Sequence, residues 1–371
     1  MRIALVGPHR PYRGGIAHFA ASLQRELERR GHEVSALTFR RQYPNMFFPG
    51  QTEWEPDQGG GEEEAPRVLD SVGPWTWFSV ARRLAREQIE AVVFSHWMPF
   101  FAPAYGSIAR LLPGRVRKLA VVHNALPHER RFGDEVFSRY FFRACDGLLV
   151  LSASVEWDLL QLAPEVPVRR APHPVYELFG DAPGRSDARH ALALDERSPV
   201  GLFFGFVRRY KGLHVLMRAL PSIVERLPSF RLIVAGEFYE SRTTYLSLID
   251  RPLRDHLILH DHYIPSEHVG RYFAAADLVI QPYTTATQSG VAQIAFHYGV
   301  PLIVTDVGGL AEVVPHEKAG LVVPPDDPAA LAAAVVRFFG DNLAPALREG
   351  VRIQREQYTW GGVADALEDL L

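Results

Sequence analysis

Arg208, Arg209 and Lys211 crowd into one turn of this 371-residue sequence, GFVRRYKGLHVL (205–216), between an apolar run and an amphipathic stretch. Such a strand–turn–helix unit puts its turn at the C-terminal edge of a parallel sheet, where open α/β sheets bind ligands. A guanidinium offers a fork of donors and an ammonium a point charge, a match to a diphosphate. Surface charge at a turn is the alternative for the same residues. A second segment, PYRGGIAHF (11–19), follows an apolar run and opens a helix. Gly14 and Gly15 would let backbone amides approach an anionic group at the helix N-terminus. The spacing is not G-x-G-x-x-G, so a nicotinamide dinucleotide is not supported, and a Gly-Gly turn is common.

The third segment is QPYTTATQSGVAQIAFHYGVPLIVTDVGGLAEVV (281–314). Its polar loop, Thr284 to Ser289, leads into a helix from about Gly290, with Thr287 or Ser289 expected as the cap. The free amides would then share a cleft with Lys211. Gly308 and Gly309 repeat the strand–glycine–helix pattern one unit later. The fourth segment, VVHNALPHE (121–129), ends a strand on His123, which reads equally as a satisfied core histidine. His123, His128, His260 and His262 lack zinc-ligand spacing, and no H-E-x-x-H occurs. Asp326 and Asp327 precede a helix and read as capping residues. Without a G-x-S-x-G elbow or a G-x-x-x-x-G-K-[ST] loop, serine hydrolases and P-loop NTPases lose support.

The elements that must position these residues are short apolar runs. Residues 2–6, 91–95, 119–123 and 147–151 form one series, and 200–205, 231–236, 257–260, 277–281, 302–305 and 320–323 a second. Continuous apolar runs suit parallel strands covered on both faces. Helical periods lie between them. Ile16, Ala20, Leu23 and Leu27 share a face before Gly31. Leu213, Leu216, Leu220, Ile223 and Leu227 share another before Pro228. Ala330, Leu331, Ala334, Val335 and Phe338 share a third before Gly340. Two such series predict two doubly wound α/β domains. The Pro/Gly-rich stretch 171–190 separates them, giving domains at 1–178 and 179–353 and a last helix at 354–371 expected to pack on the first domain. Residues 55–66 (EPDQGGGEEEAP) read as a surface loop.

Composition narrows the class. Hydrophobic residues at 47% and charged residues at 22% suit a globular core rather than disorder. A net charge of −3 argues against nucleic acid as a partner. Cys145 stands alone, which excludes an intrachain disulfide framework. No apolar run reaches membrane-spanning length, and the N-terminus lacks the features of a signal peptide, so a cytoplasmic protein is expected. Residues 1–180 carry 22 Lys+Arg against 20 Asp+Glu, with six of those acids at 53–64. Arginines and aromatics interleave at 39–50 and 75–86, and aromatics cluster without arginine at 96–101 (HWMPFF). Core aromatics beside a solvated arginine face explain this. So does a surface that meets anionic lipid at the inner face of the membrane or a lipid-linked acceptor.

Taken in order, RIALVGPHRPYRGGIAHF (2–19), RRGHEV (29–34), VVHN (121–124), RRYKG (208–212) and GVPLIVTDVGGLAEVV (299–314) resemble glycosyltransferase family 4. The resemblance runs over most of the chain and fails mainly at 53–66. It implies the GT-B fold: two Rossmann-like domains of doubly wound parallel sheet facing across a cleft. It further implies metal-independent, cofactor-free transfer of a sugar, a hexose by expectation, from a nucleotide-sugar donor to a glycan or lipid-linked acceptor with retention of configuration, as in polysaccharide biosynthesis. By resemblance, Arg208 and Lys211 would clamp the donor diphosphate. Gly15, beside Gly14, would contact the same phosphates, and His123 would sit beside the donor sugar. The amides of Gln288, Ser289 and Gly290 would meet donor oxygens. The family's paired glutamates fall here on Thr285 and Gln293, and its frequent arginine after Gly205 is Phe206. Gln293 would still bond a ribose diol through its amide. These departures mark a divergent subgroup. They also keep open a non-catalytic nucleotide-sugar-binding subunit and a nucleotide-sugar epimerase.

Overall fold

The computed structural model describes residues 1–12, 14–43, 64–127, 132–175, 179–287 and 289–371. Gln288, His128, residues 44–50 of the first aromatic stretch and most of the 55–66 loop lie outside the described residues. The chain divides into two compact units, Met1–Pro174 with Thr359–Leu371, and Val175–Tyr358.

The first unit is built on a seven-stranded parallel sheet. Its elements run β1 (Arg2–Val6), α1 (Gly15–Arg29), β2 (Glu33–Arg41), β3 (Arg67–Asp70), α2 (Pro74–Arg86), β4 (Ala91–His96) and α3 (Ala102–Leu111). They continue with β5 (Arg117–Val122), α4 (Asp134–Phe142), β6 (Gly147–Val150), α5 (Ala153–Leu162) and β7 (Val168–Arg170). The strand order is β3-β2-β1-β4-β5-β6-β7. Strands β4 and β6 are buried at every residue, as continuous apolar runs require.

The second unit carries a six-stranded parallel sheet. It runs α6 (Arg185–Ala191), β8 (Val200–Phe204), α7 (Leu213–Arg226), β9 (Arg231–Ala235), α8 (Arg242–Leu246), β10 (Leu257–His260) and α9 (Ser266–Ala275). Then come β11 (Leu278–Gln281), α10 (Gly290–His297), β12 (Leu302–Thr305), α11 (Leu310–Val313), β13 (Gly320–Val323), α12 (Pro328–Gly340) and α13 (Ala344–Arg355). The strand order is β10-β9-β8-β11-β12-β13. The chain is therefore α/β, with two doubly wound parallel sheets.

The boundary falls at 174/175 rather than 178/179, and the return at 358/359 rather than 353/354. One contact explains both shifts: the Val175 amide donates to the Tyr358 carbonyl at 3.0 Å, tying both to the second unit. The stretch 171–190 is also less bare than its composition suggests, since α6 begins at Arg185. Arg189 on that helix is fully buried. It pairs with Asp277 at 2.9 Å and donates to the carbonyls of Ala275, Asp195, Glu196 and Ser198.

The last helix, α14 (Trp360–Glu368), belongs to the first unit. Arg30 holds it through Asp365 at 2.6 Å, Glu368 at 2.7 Å and the Gly361 carbonyl at 2.9 Å. His32 lies 2.9 Å from the other oxygen of Glu368. Arg29 and Arg30 together hold the Glu26 carboxyl down at about 2, because both favour its charged form.

Candidate functional site

In the second unit, two strand-to-helix turns converge on a third, residues 282–289. Gly212 makes the first approach possible. Its φ is +71°, and a Cβ there would stand 1.7 Å from the Pro282 carbonyl oxygen. Gly308 makes the second: at φ +50° its Cβ would fall 1.7 Å from the Ala286 carbonyl oxygen. The Tyr210 carbonyl accepts the Thr284 amide at 2.7 Å, so the RRYKG turn and the loop after β11 are bonded together.

Lys211 lies at the centre of this arrangement. It is only 9% exposed, not at a rim as a free surface lysine would be. A Cβ on Gly205 would come within 3.1 Å of Lys211 Nζ and 3.4 Å of Val291 Cγ2, which puts the ammonium beside the first turn of α10. The ring of Tyr283 lies 5.7 Å from Nζ. Burial, helped by the positive charge of Arg208, pulls the Lys211 ammonium down to about 8. No carboxylate pairs with it among the described residues. A buried cation without a counterion is costly, and an anion would relieve that cost.

Arg208 is exposed, with its guanidinium 4.9 Å from the centre of the Tyr239 ring. Phe206 packs tilted against the same ring at 5.2 Å and stacks on Tyr263 at 6.3 Å. The position expected to hold an arginine therefore belongs to an aromatic cluster, with Arg208 at its edge.

Helix α10 begins at Gly290 without a side-chain cap. Ser289, one of the two expected caps, does not cap it, because its Oγ is engaged elsewhere. It accepts from Gln281 Nε2 at 2.9 Å and lies 3.4 Å from the Tyr283 hydroxyl. The first-turn amides thus carry positive partial charge and no side-chain acceptor, close to Lys211. By contrast, Asp327 does cap α12, accepting from the Ala330 amide at 2.9 Å. Thr285 is partly buried in the loop. Gln293 is fully buried rather than open to solvent, and both of its amide atoms lack a partner among the described residues. Gln281 was not anticipated from the sequence. Its place at the end of β11, eight residues before Ser289, was the available signal.

In the first unit, Gly14 and Gly15 lie at the start of α1, again without a side-chain cap. Gly14 adopts φ +104°, and a Cβ there would meet nothing within 4 Å. His123 follows β5, its amide bonded to the His96 carbonyl at 2.8 Å. Its ring stands edge-on to Phe19 of α1 at 4.9 Å. Phe19 also touches His173 at 5.5 Å and Trp360 at 5.1 Å. Burial drives His123 and His96 down to about 3 and His173 to about 4, so all three are neutral near pH 7. His123 Nε2 has no partner among the described residues, which leaves a neutral imidazole nitrogen free to bond a ligand.

Comparison with known proteins gives a consistent picture. The family model for Glycosyltransferase Family 4 matches residues 13–177, and that for Glycosyl transferases group 1 matches 198–341. YtcC of Bacillus subtilis, named as a glycosyltransferase, is 32% identical over 177 residues, 46% of this chain and 43% of that protein. The matched stretch thus spans less than half the length of that relative. The D-inositol 3-phosphate glycosyltransferase of Corynebacterium diphtheriae is 26% identical over 412 aligned residues, covering 100% of this chain and 94% of its own. Among solved structures, the sucrose-phosphate synthase of Thermosynechococcus elongatus aligns with TM-score 0.78 at 21% identity, covering 100% of this chain and 98% of that one. Anabaena HepE, solved with UDP and glucose, aligns with TM-score 0.78 at 14% identity over 100% and 98%.

Proposed function

Because this chain belongs to the family 4 and group 1 glycosyltransferases and has their GT-B fold, we propose that it transfers a hexose from a nucleotide-sugar donor to a glycan or lipid-linked acceptor. The single observation that carries the reading is the buried, unpaired ammonium of Lys211 beside the uncapped start of α10. Negative charge grows on the departing nucleoside diphosphate as the bond from the sugar's anomeric carbon to the phosphate oxygen breaks. Lys211, Arg208 and the amides of Ser289 and Gly290 oppose that charge more strongly in the transition state than in the ground state. Two cations here supply the charge a metal ion would otherwise bring, so the reading is metal-independent.

Retention of anomeric configuration follows if the acceptor attacks on the face the leaving group vacates. The leaving phosphate oxygen then takes the acceptor proton, and no protein base is needed. Gly14 and Gly15 contribute amides to the phosphates. His123, held neutral, bonds a sugar hydroxyl through its unpartnered nitrogen. Gln293 serves the ribose diol, and its orphaned amide supports that role, while Thr285 replaces a charged contact to the donor sugar. HepE was solved with UDP, so uridine diphosphate is the first probe. The D-inositol 3-phosphate relatives add phosphorylated polyols to the acceptor panel. We place the reaction in the cytoplasm, at the inner face of the membrane where a lipid-linked acceptor in polysaccharide synthesis would be presented.

The two glutamine and threonine positions favour a second reading, a nucleotide-sugar-binding subunit or an epimerase. Incubation of donor alone and donor with acceptor separates them. A new glycoside with the donor's anomeric configuration supports transfer. An altered donor sugar without acceptor supports epimerisation, and bound but unchanged donor supports the subunit.

A further inference from the structure

Among the described residues, ten of the twelve exposed large apolar side chains fall on one helical layer of the first unit or in the turns that lead into it. Strands β3 to β7 are joined by crossovers that all advance in one direction across the sheet, apart from the β3 to β4 step that passes β2 and β1 in the same sense. Right-handed crossovers therefore place α2, α3, α4 and α5 together on one face, and α1 on the other.

The outward stripe of α2 carries Trp75 at 88% exposure, Phe78, Arg82 and Arg86 at helical spacing. A shallow depression along it is lined by Phe78, Ser79, Arg82, Arg83, Arg86 and Glu87. Helix α4 and the turn before it present Phe132, fully exposed, with Val136 and Phe137. Helix α5 presents Trp157 and Leu160. Arg110 lies 3.9 Å from the centre of the Tyr140 ring and donates to the Tyr140 carbonyl at 2.7 Å, which ties α3 to α4 and holds the layer as one surface.

Charge on this layer is unbalanced where pairing is concerned. Glu87, Glu135, Glu156 and Glu165 are held by Arg83, Arg139, Arg170 and Arg143. Arg82, Arg86 and Arg115 make no ion pair among the described residues. The unneutralised charge is thus positive and lies beside the exposed aromatics.

We propose that the outer face of α2–α5 docks on an anionic lipid bilayer, with Trp75, Phe78, Phe132 and Trp157 entering the interface and Arg82 and Arg86 on headgroup phosphates. Separate bulky side chains projecting from several helices suit a fluid that adapts to them. Indole and phenyl rings favour the headgroup level, and arginine stems lie along apolar matter while their heads stay at phosphate. The surface differs from the one the sequence suggested. Trp97 and Phe101 of the 96–101 stretch are buried, whereas the arginine–aromatic run RRFGDEVFSRYFFR (130–143) around α4 and the exposed residues of α5 were not singled out.

Flotation of the full chain with phosphatidylcholine vesicles and with phosphatidylcholine–phosphatidylglycerol vesicles tests this. Binding should require the anionic lipid and weaken with added salt. Arg82→Ala with Arg86→Ala should lower partition roughly 30-fold, and Trp75→Ser with Phe78→Ser roughly 10-fold or more, with melting temperature unchanged. Ile353→Ser, an exposed change on α13, should leave partition alone. Absent binding, equal partition into both vesicles, or indifference to all these variants overturns the proposal. Concentration-dependent self-association abolished by the same substitutions, without vesicle binding, assigns the face to a second copy of the chain instead.

Discussion

Lys211→Met should make the free protein more stable while weakening its hold on the donor. Methionine keeps the unbranched stem and removes the ammonium, which has no counterion in its buried position beside Gly205 and Val291. The drop from 10.5 to about 8 in the folded protein corresponds to about 3 kcal/mol at about 1.36 kcal/mol per pH unit. A folded-state value below the unfolded one means the folded protein binds fewer protons between them, so stability rises with pH from about 8 towards 10.5. The full cost is present below pH 8, and the variant should gain most there. For a unit the size of Val175–Tyr358 about 1 kcal/mol moves Tm by roughly 2–4 °C, so a gain of several degrees is expected at pH 7. Thermal melts of both proteins from pH 7 to 10 provide the assay, and the difference should close as the upper limit is approached. Affinity for a nucleoside diphosphate should fall in the same variant. A lower Tm for Lys211→Met at pH 7 would refute the reasoning, since it would mean the ammonium is favourably paired in the free protein.

Other consequences are open to measurement. His96 and His173, both buried, and the partly buried His123 are held neutral, with values lowered from 6.5 to about 3 for His96 and His123 and about 4 for His173, so stability should be lost as pH falls below 6.5. Chemical denaturation between pH 6 and 4 should show a slope of up to about 4 kcal/mol per pH unit, less by about a third in His96→Leu. Gln293→Met removes an unpartnered amide and should stabilise the free protein by about 1–3 kcal/mol while costing roughly 5- to 30-fold in nucleotide affinity by titration calorimetry. Unchanged affinity would make the residue structural. Gln293→Glu, with a carboxylate at a fully buried site, should lower Tm. Arg30→Ala leaves Glu26, Asp365 and Glu368 without their shared partner and should destabilise by about 2–4 kcal/mol, with faster proteolysis near 359–371 as the readout.

How much of this was legible beforehand depended on burial. Every strand of the second sheet is a short apolar run, and β8 to β13 all announce themselves that way. In the first sheet β3 and β7 are edge strands of mixed sequence, RVLD and VRR, and have no continuous run to reveal them. Strand β2 reads EVSALTFRR, buried only over its Leu37–Phe39 stretch. The turn RRYKG and the glycine-led helix starts were visible because few residue types permit those backbones. Invisible was the environment of Lys211, which depends on Gly205 and Val291, far apart in sequence, meeting at one point. The role of Ser289 was also misjudged, because a hydroxyl before a helix predicts a cap unless a distant side chain, here Gln281, occupies it. Interleaved arginines and aromatics carried the least information. Aromatic-rich stretches lie on the surface at Trp75 and Phe78 and in the core at Trp97 and Phe101.

The central claim is that a nucleoside diphosphate sits on Lys211, Arg208 and the start of α10. Calorimetric titration of UDP, ADP, GDP and dTDP into the wild type and Lys211→Met at pH 7 tests it most directly. The account predicts that at least one of these binds the wild type and loses roughly 10²-fold in affinity in the variant, the scale of one lost oxyanion donor. Binding of equal strength to both proteins, or of none of the four to the wild type, would contradict it.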